Sequence, residues 1–216
     1  MFMKINITLI FLLAGLAALQ VTAAPEPSRV EIPGNWLIDI KLQGQPQLLS
    51  VALPGETKRR NYWYLLYTVT NNTGQEVNFY PQFEIFTDTF KIHRSEKRVS
   101  RQVFDMIKGQ YSSTLPFLES QDQVTGVLLQ GEDNARDSVA IFEDFDPNST
   151  QVKIFVSGLS NEIVKVKHPT RVDPKTASNE EVLLRKTLTL KYKVSGDRLK
   201  PDERVMLYRD RKWYMR

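Results

Sequence analysis

The chain has 216 residues, of which 41% are hydrophobic and 25% are charged, and its formal net charge is +4. This is ordinary globular usage in a chain long enough to bury a core, which argues against disorder throughout. The absence of cysteine excludes disulfide bonds, thiolate metal sites and cysteine nucleophiles. Residues 182–216 contain 11 Lys or Arg against 4 Asp or Glu, so the basic excess lies in the C-terminal segment.

An export signal is predicted at the start of the chain. Lys4 precedes a mostly apolar run over residues 5–19, and small residues follow up to Ala23. We expect residues 1–23 to be a signal peptide that is cleaved after Ala23. The alternative is an uncleaved anchor, but the apolar run is shorter than the roughly 20 residues that cross a bilayer. No later stretch is predicted to span a membrane, so the expected location is periplasmic or extracellular.

The rest of the chain is predicted to be a linker and one domain. Residues 24–35 are rich in proline and indicate an extended linker. Residues 36–42 alternate between apolar and polar, which predicts a first strand with one solvated side, and a short second strand follows at 48–53. Most later segments also favour strands, so we expect 36–216 to form a single β domain.

Two pairs of strands are predicted to form antiparallel hairpins. The first pair flanks the polar turn at residues 71–74, and the second pair, 138–145 and 151–157, flanks the turn at 146–149. In the first pair, side chains of equal parity are expected to form one buried face. These side chains are Trp63, Leu65, Tyr67, Val69, Val77, Phe79, Phe83 and Ile85.

One short helix is predicted to interrupt the strands. Ser100 can cap a helix in which apolar residues recur at intervals of three to four, and the resulting insertion lies near residues 100–112. Further strands are expected at 163–166, 182–194, 205–208 and 212–215, with a polar loop at 168–181.

The predicted strands total about nine or ten, with turn signals at intervals typical of sandwiches and barrels. The run Tyr-Thr-Val-Thr-Asn-Asn-Thr-Gly at 67–74, followed by Phe-Glu-Ile-Phe-Thr-Asp at 83–88, resembles the strand, turn and strand of immunoglobulin-like domains in bacterial exported proteins. Residues 138–159 are similar to their late hairpin. The resemblance covers roughly residues 36–166. It implies an all-β, immunoglobulin-like antiparallel β-sandwich with adhesion, accessory or scaffold roles.

A calcium site is one candidate for chemistry. Asp144, Asp146 and Asn148 have the D-x-D-x-N spacing that begins a calcium loop. The continuation departs from that pattern, because Ser149 stands where glycine is needed and Phe155 where a bidentate glutamate is needed. The alternative is a polar turn with Asx hydrogen bonds.

A binding platform is a second candidate. Tyr62 and Tyr64 lie on the opposite face of their strand from Trp63, and next to Arg59 and Arg60. Tyrosine and arginine concentrate contact energy at interfaces, so these residues could bind a partner. The alternative is an inner strand covered by the helical insertion or by the C-terminal segment.

The basic C-terminal segment is a third candidate. It could steer the protein to an anionic wall polymer, a membrane surface or nucleic acid, although alternation favours the solvated side of strands and export makes nucleic acid the least expected partner. Its cations are Arg185, Lys186, Lys191, Lys193, Arg209, Arg211 and Lys212.

No catalytic motif is present. His93 and His168 lie in separate regions, which disfavours a zinc site, and there is no G-x-S-x-G elbow. We expect an exported, non-catalytic interaction or scaffold module of the cell envelope that binds an envelope protein or an anionic polymer and needs no cofactor, calcium excepted. The alternative is a secreted or periplasmic hydrolase with scattered carboxylates, whose convergence is spatial.

Overall fold

We describe a computed structural model of the chain. It describes residues 24–27, 33–96, 99–172, 174–175, 178–197 and 199–216. The predicted signal peptide, residues 1–23, lies outside the described residues, and so do residues 28–32 of the predicted linker. None of the described helices has the length and apolar character needed to cross a bilayer.

The protein is mostly β, as the alternation of its sequence predicts. The described residues form thirteen strands and two α-helices, more strands than the nine or ten predicted, because several of them are only two or three residues long. The strands are β1 Asp39–Leu42, β2 Gln47–Val51, β3 Arg60–Thr70, β4 Val77–Phe79, β5 Gln82–Thr87, β6 Ile92–Arg94, β7 Glu119–Ser120, β8 Gly126–Leu128, β9 Arg136–Glu143, β10 Gln151–Ser157, β11 Ile163–Val172, β12 Asn179–Ser195 and β13 Val205–Met215. The helices are α1 Arg101–Gln110 and α2 Gln121–Val124.

Two large sheets contain most of these strands. In the first sheet, β3 pairs with β1, β2 and β9, and β7 adds to β9 in the parallel direction. The second sheet has the order β11-β12-β10-β5-β6, and β13 also pairs with β12. The short strands β4 and β8 pair with each other.

The two large sheets share one hydrophobic core. Trp63, Leu65 and Tyr67 of β3 belong to the same buried cluster as Phe83 of β5 and Leu188 of β12. The rings of Tyr67 and Phe83 lie 4.7 Å apart between centroids. Each such buried side chain contributes about 1.5–3 kcal/mol, so this core is the main source of stability in a chain without disulfides.

Both predicted hairpins are wrong in their pairing. All eight side chains of the predicted buried face lie in the shared core, but β3 belongs to the first sheet and β5 to the second. In the same way β9 lies in the first sheet and β10 in the second. Alternation predicts which side of a strand faces the core, whereas two facing strands of different sheets give the same pattern as two paired strands.

Asn71 fixes the first crossing between the sheets. Its side chain is buried, and its Nδ2 donates to the carbonyls of Gln75 and Leu128, each at 2.8 Å. Its Oδ1 accepts from the amide of Thr73 at 3.1 Å, which forms an Asx turn. The polar turn was therefore predicted correctly, but it carries the chain across the core instead of back along the same sheet.

A helix is present at the predicted place, as α1, and it covers the outer face of the first sheet, whereas the short helix α2 was not predicted. Val103, Phe104 and Ile107 of α1 are buried in a second cluster that includes Tyr62 and Tyr64 of β3. Ser100 occupies the predicted N-cap position, but its side chain makes no capping hydrogen bond. Tertiary packing against β3 therefore holds this helix in place.

The C-terminal strands are longer than predicted. The predicted loop at 168–181 is wrong, because β11 continues to Val172 and β12 begins at Asn179. Most side chains of β11 are exposed or half-buried on both faces, so this ribbon has no strong apolar alternation for the sequence to reveal. The two strands predicted at 205–208 and 212–215 form one continuous strand, β13. Its register with β12 shifts between Lys191 and Tyr192.

Candidate functional site

A groove of about 560 Å³ lies on the outer face of the second sheet. The alternation of β10 explains the two faces of this sheet: Val152, Ile154 and Val156 are buried in the core, whereas Lys153 is exposed on the other side. The side chains that give the groove its character come from β5, β10, β12, β13 and the turn after β5. They are Phe86, Phe90, Lys153, Lys191, Lys193 and Arg209.

Strand register brings the cations together. Phe86 pairs with Lys153, Lys153 pairs with Lys191, and Gln151 pairs with Lys193. Directly paired side chains lie about 4.5–5.5 Å apart at their Cβ atoms, so Lys153 and Lys191 are adjacent like charges. The register shift of β13 supplies Arg209 near the same end of the groove. This concentration of positive charge depends on pairing between strands that are far apart in sequence.

One of these cations has an internal partner. Lys191 Nζ lies 3.0 Å from Asp210 Oδ2. Their hydrogen bond raises the pKa of Lys191 and lowers the pKa of Asp210. By contrast, Lys153, Lys193 and Arg209 form no ion pair with any residue that the structure describes. Their charge is therefore available to a ligand.

Of the described residues that line the groove, Asp88 is the one that carries a carboxylate. Its Oδ2 accepts from Thr150 N at 3.0 Å, from Thr150 Oγ1 at 2.7 Å and from Gln151 N at 3.1 Å. Burial opposes its ionisation, but these hydrogen bonds outweigh burial and lower the pKa of Asp88. This carboxylate holds the turn before β10 in place, and the groove keeps a positive excess.

Aromatic rings lie beside the cations. Phe90 is 84% exposed and has a φ of 60°, and its ring packs edge-to-face with Phe86, with centroids 6.1 Å apart. Phe86 lies 6.3 Å from Phe155, and the guanidinium of Arg216 lies 4.1 Å from the centre of the Phe155 ring. The groove can therefore offer charge and an apolar contact to the same ligand.

The predicted tyrosine platform is covered. Tyr62 is 1% exposed and Tyr64 is 4% exposed, since both pack under α1. Tyr64 Oη donates to Gln47 Oε1 at 2.9 Å and lies 3.2 Å from Tyr111 Oη. This is the covered inner strand that the alternative predicted.

The two arginines predicted beside these tyrosines are exposed. Arg59 donates to the hydroxyl and the carbonyl of Ser50, and Arg60 pairs with Glu56 at 2.7 Å. With the tyrosines covered, the four residues do not form one open surface.

The predicted calcium ligands are engaged in hydrogen bonds. Asp144 accepts from Trp63 Nε1 at 2.9 Å and from the amide of Phe145 at 2.9 Å, and it pairs with Arg204. Asp146 Oδ1 accepts from both the amide and the side chain of Asn148, at 2.9 and 3.0 Å. These are the Asx hydrogen bonds of a polar turn. Among the described residues, no group of three or more His, Asp or Glu side chains is placed to hold a metal ion.

Glu96 is a half-buried acid that the sequence did not single out, and its Oε1 is shielded from solvent. Its Oε1 has no hydrogen-bond partner among the described residues, and the same holds for Tyr67 Oη and Ser138 Oγ. Burial raises the pKa of Glu96 to about 7, the charge of Asp122 acts in the same direction, and a hydrogen bond from the backbone of Ile141 opposes them. Nothing in the local sequence signals this burial, which arises because the chain crosses between the sheets here and bonds to Ile141 O.

The groove was only partly foreseen. The sequence indicated a basic C-terminal segment with Lys191, Lys193 and Arg209, but it did not indicate Lys153 of β10 or the rings of Phe86 and Phe90.

No protein-family model, no curated protein and no solved structure matches the chain.

Proposed function

We propose that this protein is an exported, non-catalytic interaction module that binds an anionic polymer of the cell envelope in the groove on its second sheet. The observation that carries the proposal is a cluster of three cations at one open groove that form no ion pair with another described residue: Lys153, Lys193 and Arg209. Unpaired cations on one surface attract anions and steer their approach. Export rests on the signal-peptide pattern of residues 1–23.

The fold that goes with this role is an immunoglobulin-like antiparallel β-sandwich. The core shared by the two sheets and the antiparallel pairing of nearly all their strands support it. Helix α1 and strand β13 are additions to the simple pattern. Because α1 covers the outer face of the first sheet, the outer face of the second sheet is the one left open for a partner.

The lining of the groove supports binding rather than hydrolysis. Hydrolysis by paired carboxylates needs two acids about 5–10 Å apart on either side of the bond that is cleaved. Among the described residues of the lining there is one acid, Asp88, where paired catalysis would need two. Three hydrogen bonds from Thr150 and Gln151 hold its carboxylate. The remaining charges there are cations, which suit recognition of an anion.

The test is a triple variant, Lys153→Gln, Lys193→Gln and Arg209→Gln, with heparin as the polyanion. Each cation near an anionic surface is worth on the order of 1 kcal/mol, so binding should weaken by about tenfold or more. Binding by the natural protein should also weaken as salt rises, since exposed charges are screened over about 8–10 Å near physiological ionic strength. Circular dichroism checks that the variant is folded.

A matched control separates the groove from net charge. Lys41→Gln, Lys58→Gln and Arg171→Gln remove the same charge from exposed residues outside the groove lining. This control variant should bind heparin within about twofold of the natural protein. Equal loss of binding in the two triple variants would refute a localised site.

A further inference from the structure

Phe90 presents an exposed aromatic ring at the groove, and the backbone of this residue is strained. Phe90 and Glu96 are the two described non-glycine residues with positive φ. Glu96 is half-buried and its amide donates to Ile141 O at 2.8 Å, so packing accounts for its conformation. Phe90 is 84% exposed, and its side chain adds little to the core.

The turn that holds Phe90 normally favours glycine at this position. Thr87 N donates to Lys91 O at 3.0 Å, and Phe90 N donates to Thr87 O at 3.0 Å. Residues 88–90 thus form a three-residue loop between Thr87 and Lys91, and Phe90, the last of them, is left-handed. At such a site glycine avoids a clash of Cβ with the backbone. A bulky exposed residue held in such a conformation points to a contact outside the fold.

We infer that the anionic polymer is a polysaccharide and that one of its sugar rings stacks on Phe90. The inference rests on the proposed function and names the chemical class of its ligand. Phe90 and Phe86 offer an apolar surface, and Lys153, Lys193 and Arg209 lie in the same groove. A charged sugar has both features that this surface needs: an apolar face of C–H groups and an acidic substituent.

Neighbouring polar groups fit the same ligand. Thr150 and Gln151 are exposed in the groove lining, and their hydroxyl and amide groups can hydrogen-bond sugar hydroxyls. Single-stranded nucleic acid is favoured less, because its general binders stack successive bases on several rings and here a single ring protrudes. Inorganic polyphosphate has charge but no apolar face for Phe90.

The deciding variant is Phe90→Gly, which removes the ring and gives the turn the residue that its backbone favours. We expect its melting temperature to equal or exceed that of the natural protein. Because the variant removes the aromatic surface against which the sugar stacks, affinity for heparin should fall by about fivefold or more. Affinity for inorganic polyphosphate should stay within about twofold, because charge alone binds it.

The matched control is Phe117→Gly, since Phe117 is 82% exposed and lies outside the groove lining. It should leave affinity for both polymers unchanged. If Phe90→Gly binds heparin like the natural protein, or loses heparin and polyphosphate equally, the stacking inference is overturned while the groove remains. If the natural protein binds neither polymer, the proposed function itself fails. Tighter binding of oligo(dT) than of heparin, lost in Phe90→Gly, would replace the polysaccharide with nucleic acid.

Discussion

Arg204 is the residue whose replacement we expect to lower the free energy of unfolding most. It is 3% exposed, it pairs with Asp144, and its guanidinium lies 5.8 Å from the Trp63 ring centre and 5.5 Å from that of Phe145. We expect Arg204→Met to lower the free energy of unfolding by about 3–5 kcal/mol, because it leaves the charge of Asp144 without its partner. Urea unfolding measures this loss.

An exposed ion pair close by serves as the control. Lys200 Nζ lies 2.9 Å from Glu203 Oε1, and both side chains are more than half exposed. Lys200→Met should change the free energy of unfolding by less than about 1 kcal/mol. If the two variants are equally stable, Arg204 does not anchor the segment before β13.

Glu96 should make stability depend on pH. Its folded pKa of about 7 lies above the ordinary glutamate value of 4.5, so its contribution to stability is fully present below pH 4.5 and is lost as pH rises through about 7. Glu96→Gln removes the buried charge. At pH 8 this variant should be more stable than the natural protein by about 1–3 kcal/mol, and at pH 4.5 the two should be nearly equal.

Thermal unfolding at the two pH values measures the effect. Glu132→Gln, at an exposed acid, should not alter the pH dependence. An equal change at both pH values would show that the Glu96 effect comes from shape or packing and that no buried charge is involved.

At the scale of elements, α1 acts as the cover of the first sheet. Ile107 is fully buried against the cluster that contains Tyr62 and Tyr64, whereas its neighbour Met106 is 44% exposed. We expect Ile107→Ala to lower the free energy of unfolding by about 2–4 kcal/mol. Met106→Ala should lower it by less than about 1 kcal/mol, as measured by urea unfolding. Equal, small effects would mean that α1 does not stabilise the sheet.

Sequence patterns predicted the core better than they predicted the pairing. Parity assigned Trp63, Tyr67 and Phe83 to a buried face, and all three are in the shared core. The same parity suggested that β3 pairs with β5, although the two strands face each other across that core. Pairing partners are set by contacts distant in sequence, which an alternating pattern does not encode.

The groove shows the same limit. Lys191 and Lys193 could be assigned to the solvated side of a strand from alternation, and the register confirms that their paired neighbours Lys153 and Gln151 face the same side. The adjacency of Lys153 and Phe86 required knowledge that β10 lies between β5 and β12. The sequence did not indicate the role of Phe90 for a different reason. Its positive φ is a property of the turn geometry, which the residue pattern does not encode.

At the scale of the whole molecule, the two sheets have different outer faces. The first is covered by α1 and its apolar contacts, and the second carries a groove with Lys153, Lys191, Lys193 and Arg209. A net charge of +4 alone would favour weak, diffuse attraction to polyanions. The clustered arrangement predicts instead one preferred location for the ligand.

Chemical-shift mapping tests that central claim most directly. A series of ¹H–¹⁵N spectra recorded while heparin oligosaccharide is added at physiological salt reports which amides sense the ligand. We predict the largest shifts at the turn containing Phe90 and in the strands that carry Lys153, Lys193 and Arg209. Largest shifts near Arg59 and Arg60, or small shifts spread evenly over the surface, would contradict a binding groove on the second sheet.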